Sequence, residues 1–184
     1  MSISKEELSR LLKAALVKRE KWDEVPELGV VYRSDTGVHR LAPWEFDRKV
    51  WGIGHPAQFL GYLGDHLLGE SESQREAALG FLPAGSEPLG VYFRYEAYAA
   101  SEDQADELRR RRLAGGSTPL LKDLAGRREF RSIQALTFDR VECAATQYRE
   151  EPLSAPSEYS VLDGPVPDAL LRIVTALTPA SGDL

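Results

Sequence analysis

Leu89-Gly90-Val91-Tyr92-Phe93-Arg94-Tyr95-Glu96-Ala97-Tyr98-Ala99 alternates in character from one residue to the next, so that Val91, Phe93, Tyr95 and Ala97 share one side and Tyr92, Arg94, Glu96 and Tyr98 the other. A period of two is the signature of an extended strand with two unlike faces. The polar residues on the second face argue against a doubly wound parallel sheet, whose strands are apolar on both sides. Gln134 and Gln147 carry the same message in two further extended stretches.

The flanking sequence falls into hairpins and helices. Residues 29–33 and 38–41 are expected to pair across Ser34-Asp35-Thr36-Gly37, and residues 131–138 and 141–149 across Asp139-Arg140, which places a second hairpin over about 129–149. Ser4 and Glu7 have capping-box spacing, and Leu8, Leu11, Leu12, Ala15, Leu16, Arg19 and Trp22 follow at helical intervals, predicting a helix over about 5–23 that stops before Pro26. Phe59, Leu60, Leu63 and Leu67 predict helix from Pro56, although Gly61 and Gly64 weaken it, and a short helix is expected from Ser73, boxed by Glu76, within a helical region of about 56–81. Ser101 with Gln104 opens a helix over about 102–114, with acids in its first turn and Arg109 to Arg112 in its last. Leu170, Leu171, Val174 and Leu177 close the chain with a helix over about 167–178. The expectation is one α+β domain over 1–184: a mainly antiparallel sheet of about five strands, built from hairpins and packed by N-terminal, middle and C-terminal helices.

Size and composition agree with one domain. A chain of 184 residues buries about 70% of its unfolded surface without needing to split, and 42% hydrophobic with 28% charged residues is a globular composition. Cys143 stands alone, which excludes an internal disulfide and suits a reducing, cytoplasmic setting. Charged residues interrupt the first 21 positions, and no run approaches the ~18 apolar residues of a spanning helix, so neither a signal peptide nor a membrane partner is expected. The net charge of −6 disfavours nucleic acid, whose binders carry a basic excess. Arginine outnumbers lysine 17 to 6 and asparagine is absent, the skew of GC-rich coding in a bacterial or phage gene.

Chemistry is sparse. Gly52-Ile53-Gly54-His55-Pro56-Ala57 fits the dinucleotide fingerprint, but the charged stretch Phe46 to Trp51 ahead of it is no buried strand, and Pro56 removes a helix N–H that would hold a pyrophosphate. No cofactor is expected there. His55 and His66 would lie about 16 Å apart along one helix, too far to share an ion. His66 and Glu70 are four apart and, with His39, form the one candidate metal set. Arg112, Gly115 and Gly116 are similar to part of the phosphate loop of acetyltransferases, although Ser117 stands where that loop has glycine. Cys143 sits among alanines in a strand, the place of a core residue rather than a nucleophile.

The remaining candidates are Tyr92, Arg94, Glu96 and Tyr98 with Trp44 and Trp51, residue types that protein interfaces favour. The functional expectation is a non-catalytic domain that binds another protein or itself, as a subunit, adaptor or immunity-type inhibitor. The alternative is a small enzyme, either a metal-dependent hydrolase using His66 and Glu70 or an acyl-CoA-dependent transferase using the loop after Arg112.

Overall fold

The computed structural model describes residues 2–19, 21–52, 54–151, 157–159 and 164–178. Its elements run α1 (Lys5–Val17), β1 (Glu27–Arg33), β2 (His39–Pro43), α2 (Pro56–Gly69), α3 (Glu72–Ala78), β3 (Glu87–Ala99), α4 (Glu102–Leu113), β4 (Arg128–Thr137), β5 (Glu142–Tyr148), β6 (Ser157–Tyr159) and α5 (Pro165–Leu177). The strands form one sheet in the order β2-β1-β3-β4-β5-β6, antiparallel at every step. The chain is α+β.

Both faces of this sheet are covered, which makes three layers. Leu28, Val91, Phe93 and Leu136 point to one side and meet Leu60 and Leu67 of α2 and Leu170, Ile173 and Val174 of α5. Val31, Tyr92, Ile133, Cys143 and Ala145 point to the other and meet Leu8, Leu12 and Leu16 of α1. The tight crossing of α2 over α5 depends on Gly64, where a Cβ would come within 2.7 Å of Arg172 Cβ. The glycine expected to weaken this helix is therefore the point at which its neighbour passes.

Two helix ends and one capping box stand out among the differences from the sequence expectation. The first helix ends at Val17 instead of near residue 23, because the Arg19 carbonyl is taken by Arg131 Nη1 and leaves the helical ladder. The short helix is capped by Ser71 with Gln74, not by Ser73 with Glu76. At the N-terminus of α1, Ser4 accepts the Glu7 amide, while the Glu7 carboxylate turns to His39 Nδ1 at 2.7 Å. The β4–β5 turn manages without glycine by placing Arg140 at φ 65°, and Thr137 Oγ1 accepts the Val141 amide.

Candidate functional site

The face of β3 that carries Tyr92, Arg94, Glu96 and Tyr98 runs from beneath α1 to the open end of the sheet. β1 accompanies β3 only as far as the pair Glu27 and Arg94, whereas β4 continues beside it to Ala99. Tyr92 is sealed, with 1% of its surface exposed, and donates to Glu27 Oε1 at 2.7 Å. Burial, and after it the Glu27 carboxylate, pushes the Tyr92 phenol far above the usual tyrosine range. Arg94 Nη2 holds the other Glu27 oxygen at 2.6 Å. Glu96 accepts the Asp23 amide at 2.7 Å, and Tyr98 lies under the Arg127 guanidinium, 5.1 Å from its ring centre.

Trp44 and Trp51 are on the opposite face. They belong to a ladder of rings in which Trp44 meets Phe46, Phe46 meets Trp51, and Trp51 meets Phe93, with centroid separations of 5.5, 6.3 and 5.7 Å. The six candidate interface residues are thus divided by the sheet, and the two tryptophans are part of the packing against α2.

Around Arg94 the structure gathers residues that the sequence reading did not single out. Arg19, 6% exposed, pairs with Glu24 and reaches the Val25 carbonyl at 3.3 Å through Nη2. Arg131, 5% exposed, grips Gln147 Oε1 through Nε at 2.9 Å and Nη2 at 2.5 Å and lies 5.0 Å over the Trp22 ring. Burial first, then the neighbouring charge of Arg19, lowers the Arg131 pKa. The local signal was present: Arg19 and Trp22 occupy core positions of the first helix's repeat, where an arginine demands a buried acceptor. Its acceptors, Glu24 and the Val25 carbonyl, come from just beyond the helix, while its own carbonyl is taken by Arg131, 112 residues away in β4.

Next to this cluster, Ala15, Lys18, Arg19, Lys21, Glu24 and Arg94 line an open cleft of about 430 Å³. Among the described residues, Arg19 Nη1 and Arg94 Nε are buried donors without a hydrogen-bond partner, and Glu96 Oε1 is a buried acceptor without one. A larger groove of about 590 Å³ lies at the other end of the sheet, with Leu79, Leu89, Phe138 and Leu177 among its walls. Among the described residues none of its lining side chains has a buried polar atom left without a partner.

The other sequence candidates are placed apart. His66 Nε2 is 3.5 Å from Glu70 Oε1, on the α2 side of the sheet, while His39 is held by Glu7 of α1 on the other. Among the described residues no three His, Cys, Asp or Glu side chains come together in a way that could hold a metal ion. Arg112, Gly115 and Gly116 terminate α4: the Gly115 amide bonds the Arg112 carbonyl and the Gly116 amide the Arg111 carbonyl. This is the carbonyl end of a helix, whereas phosphate loops present the amide end. Gly52 closes a short 3₁₀ turn, Arg48–Gly52, rather than a strand, and His55 caps α2 by accepting the Ala57 amide at 3.2 Å.

Beyond Ala99 the chain leaves the sheet as an arm that returns at Arg128. None of the α4 side chains described is buried. The helix is held by its own ion pairs, Arg109 with Asp106 at 3.1 Å, Arg110 with Glu107 at 3.2 Å and Arg111 with Glu107 at 2.7 Å, and by Gln104 Nε2 on the Ala125 carbonyl at 2.6 Å. Leu113, Leu120 and Leu121 of this arm are 83%, 61% and 42% exposed. No helix among the described residues is long and apolar enough to cross a membrane. No family model, curated protein or solved structure matches the chain.

Proposed function

We propose that the chain is a non-catalytic, cytoplasmic protein-binding domain, a subunit, adaptor or immunity-type inhibitor, and that the arm between β3 and β4 is its contact element. One observation carries this reading: a twelve-residue helix with no side chain described as buried ends on the exposed Leu113 and is followed within eight residues by two further exposed leucines, Leu120 and Leu121. A helix that is polar all round gains nothing from its own core, and a helix of this length is marginal in water without packing. Leucines left on such an element are stabilised when a second protein covers them. The buried thiol of Cys143 suits a reducing compartment, and the net charge of −6 suits a protein partner better than nucleic acid.

The test compares tagged wild-type chain with a Leu113→Glu, Leu120→Glu, Leu121→Glu variant in the cells that produce it. Both are expected to melt within about 2 °C of each other, because all three side chains are exposed. A partner, another protein or a second copy, is expected to co-purify in fixed ratio with wild type alone and to re-form the complex from purified components. Unchanged retention of that partner by the variant overturns the reading, as does a wild-type chain that runs as a bare monomer both in lysate and when pure.

A further inference from the structure

The cleft at the end of α1 carries donors that the protein itself does not satisfy, and we propose that it is an anion site for a phosphate group. Arg19 is buried to more than nine-tenths, yet its Nη1 has no acceptor among the described residues, and the same holds for Nε of Arg94. Both residues line the cleft. Buried guanidinium N–H groups without acceptors are costly, so each calls for a partner arriving from outside.

Of the carboxylates nearby, Glu24 and Glu27 are engaged, while Glu96 accepts the Asp23 amide through one oxygen and keeps Oε1 without a partner among the described residues. Glu24 is paired with Arg19 Nε and Glu27 with Arg94 Nη2 and the Tyr92 hydroxyl. Among the described residues four cations, Lys18, Arg19, Lys21 and Arg94, line the cleft against one carboxylate, Glu24. With Glu27 set against Arg94, two positive charges remain. Behind them Arg131, its charge disfavoured first by burial and then by Arg19, is offset by Glu96, so the two remaining charges make the cleft positive although the chain as a whole carries −6.

That surplus selects among anions. A carboxylate brings one negative charge, whereas a phosphate monoester or inorganic phosphate brings roughly −1.5 to −2 at neutral pH and three acceptor oxygens. Guanidinium forks and flexible ammonium groups together suit a tetrahedral oxyanion. The donors are all side chains, since α1 presents its carbonyl end here.

The experiment is calorimetric titration of the full chain with inorganic phosphate at low ionic strength, alongside acetate. Lys18 and Lys21 are exposed, so Lys18→Gln/Lys21→Gln removes rim charge without disturbing the core, and Lys122→Gln on the arm is the control for loss of a lysine remote from the cleft. Saturable one-to-one phosphate binding is expected, weakened at least tenfold in the double variant, unchanged in Lys122→Gln, and at least tenfold weaker for acetate. Absence of saturable phosphate binding, equal affinity for acetate, or a double variant that binds like wild type overturns the assignment. None of these results bears on the leucines of the arm.

Discussion

Tyr92 and Glu27 join two strands through a phenol-to-carboxylate hydrogen bond of 2.7 Å. The same carboxylate holds Arg94 two residues further along β3, so one acidic side chain on β1 clamps successive members of the polar row. Room for the Tyr92 ring comes from Gly29, where an added Cβ would lie 2.5 Å from the ring and 2.4 Å from the Ala42 carbonyl oxygen. The row that alternation presents as a polar surface is, at its inner end, an internal brace.

Stability should fall in alkali. An unfolded tyrosine loses its proton near pH 10, while the folded pKa of Tyr92 is raised, chiefly by burial, and that of Tyr95 is raised by burial against a smaller opposing hydrogen bond from Ser132. Below pH 10 both states hold the proton and the contribution is fully present. Above it the unfolded chain releases protons that the native state keeps, so each phenol lowers stability by about 1.4 kcal/mol per pH unit until its folded pKa is reached. Urea titrations between pH 8 and pH 11 should show this decline, and Tyr92→Phe should remove one contribution to the slope. The same variant should cost about 1–2 kcal/mol at neutral pH, where it only deletes a hydrogen bond.

Gly29→Ala should destabilise by about 1–3 kcal/mol or more, because the methyl group meets a backbone oxygen and an aromatic ring that cannot both retreat. A shift in urea midpoint with an unchanged slope would confirm a stability effect on the native state. A midpoint equal to wild type would show that the β1–β2 pairing yields at no cost.

Leu170 and Leu171 are neighbours on α5 with opposite surroundings, 0% and 44% exposed. Leu170→Ala should cost about 2–5 kcal/mol by opening a cavity between α2, α5 and the sheet. Leu171→Ala should cost under about 1 kcal/mol. Thermal melts of the pair measure the difference directly, and equal losses would contradict the placement of α5.

Amides of α4 should exchange with solvent far faster than those of the paired segments of β3 and β4, since none of the helix's described side chains is buried while the strands lie at the centre of the sheet. Hydrogen exchange followed by mass spectrometry separates these peptides. Adding the partner that the arm recognises should slow α4 and leave the strands unchanged.

Much of the architecture was legible because it is written in local periodicity. The alternation of residues 89–99, the helical spacing from Leu8 to Leu16 and the two hairpins depend on near neighbours, and each lies where that pattern puts it. Ends were less legible. Ser71 with Gln74 and Ser73 with Glu76 offer the same capping chemistry two residues apart, and the fold uses the first. Arg19 and Trp22 continue the helical repeat on paper, but Arg131 draws the Arg19 carbonyl away from it. The cationic cleft could not be read at all, since Arg19 and Arg94 become neighbours only when α1 is laid across the sheet on β4 and β5.

By itself the sequence determined an antiparallel, hairpin-built sheet with amphipathic helices, because the spacing of apolar residues dictates which backbone conformation can bury them. Only the tertiary structure decided that both faces of the sheet are covered, that Tyr92 lies inside while Tyr98 reaches the rim, and that Trp44 and Trp51 stand on the far side from Arg94. The reason is physical: alternation shows that a strand has two unlike faces, but the burial of either face depends on the helix that crosses it, and that contact is made by residues distant in the chain.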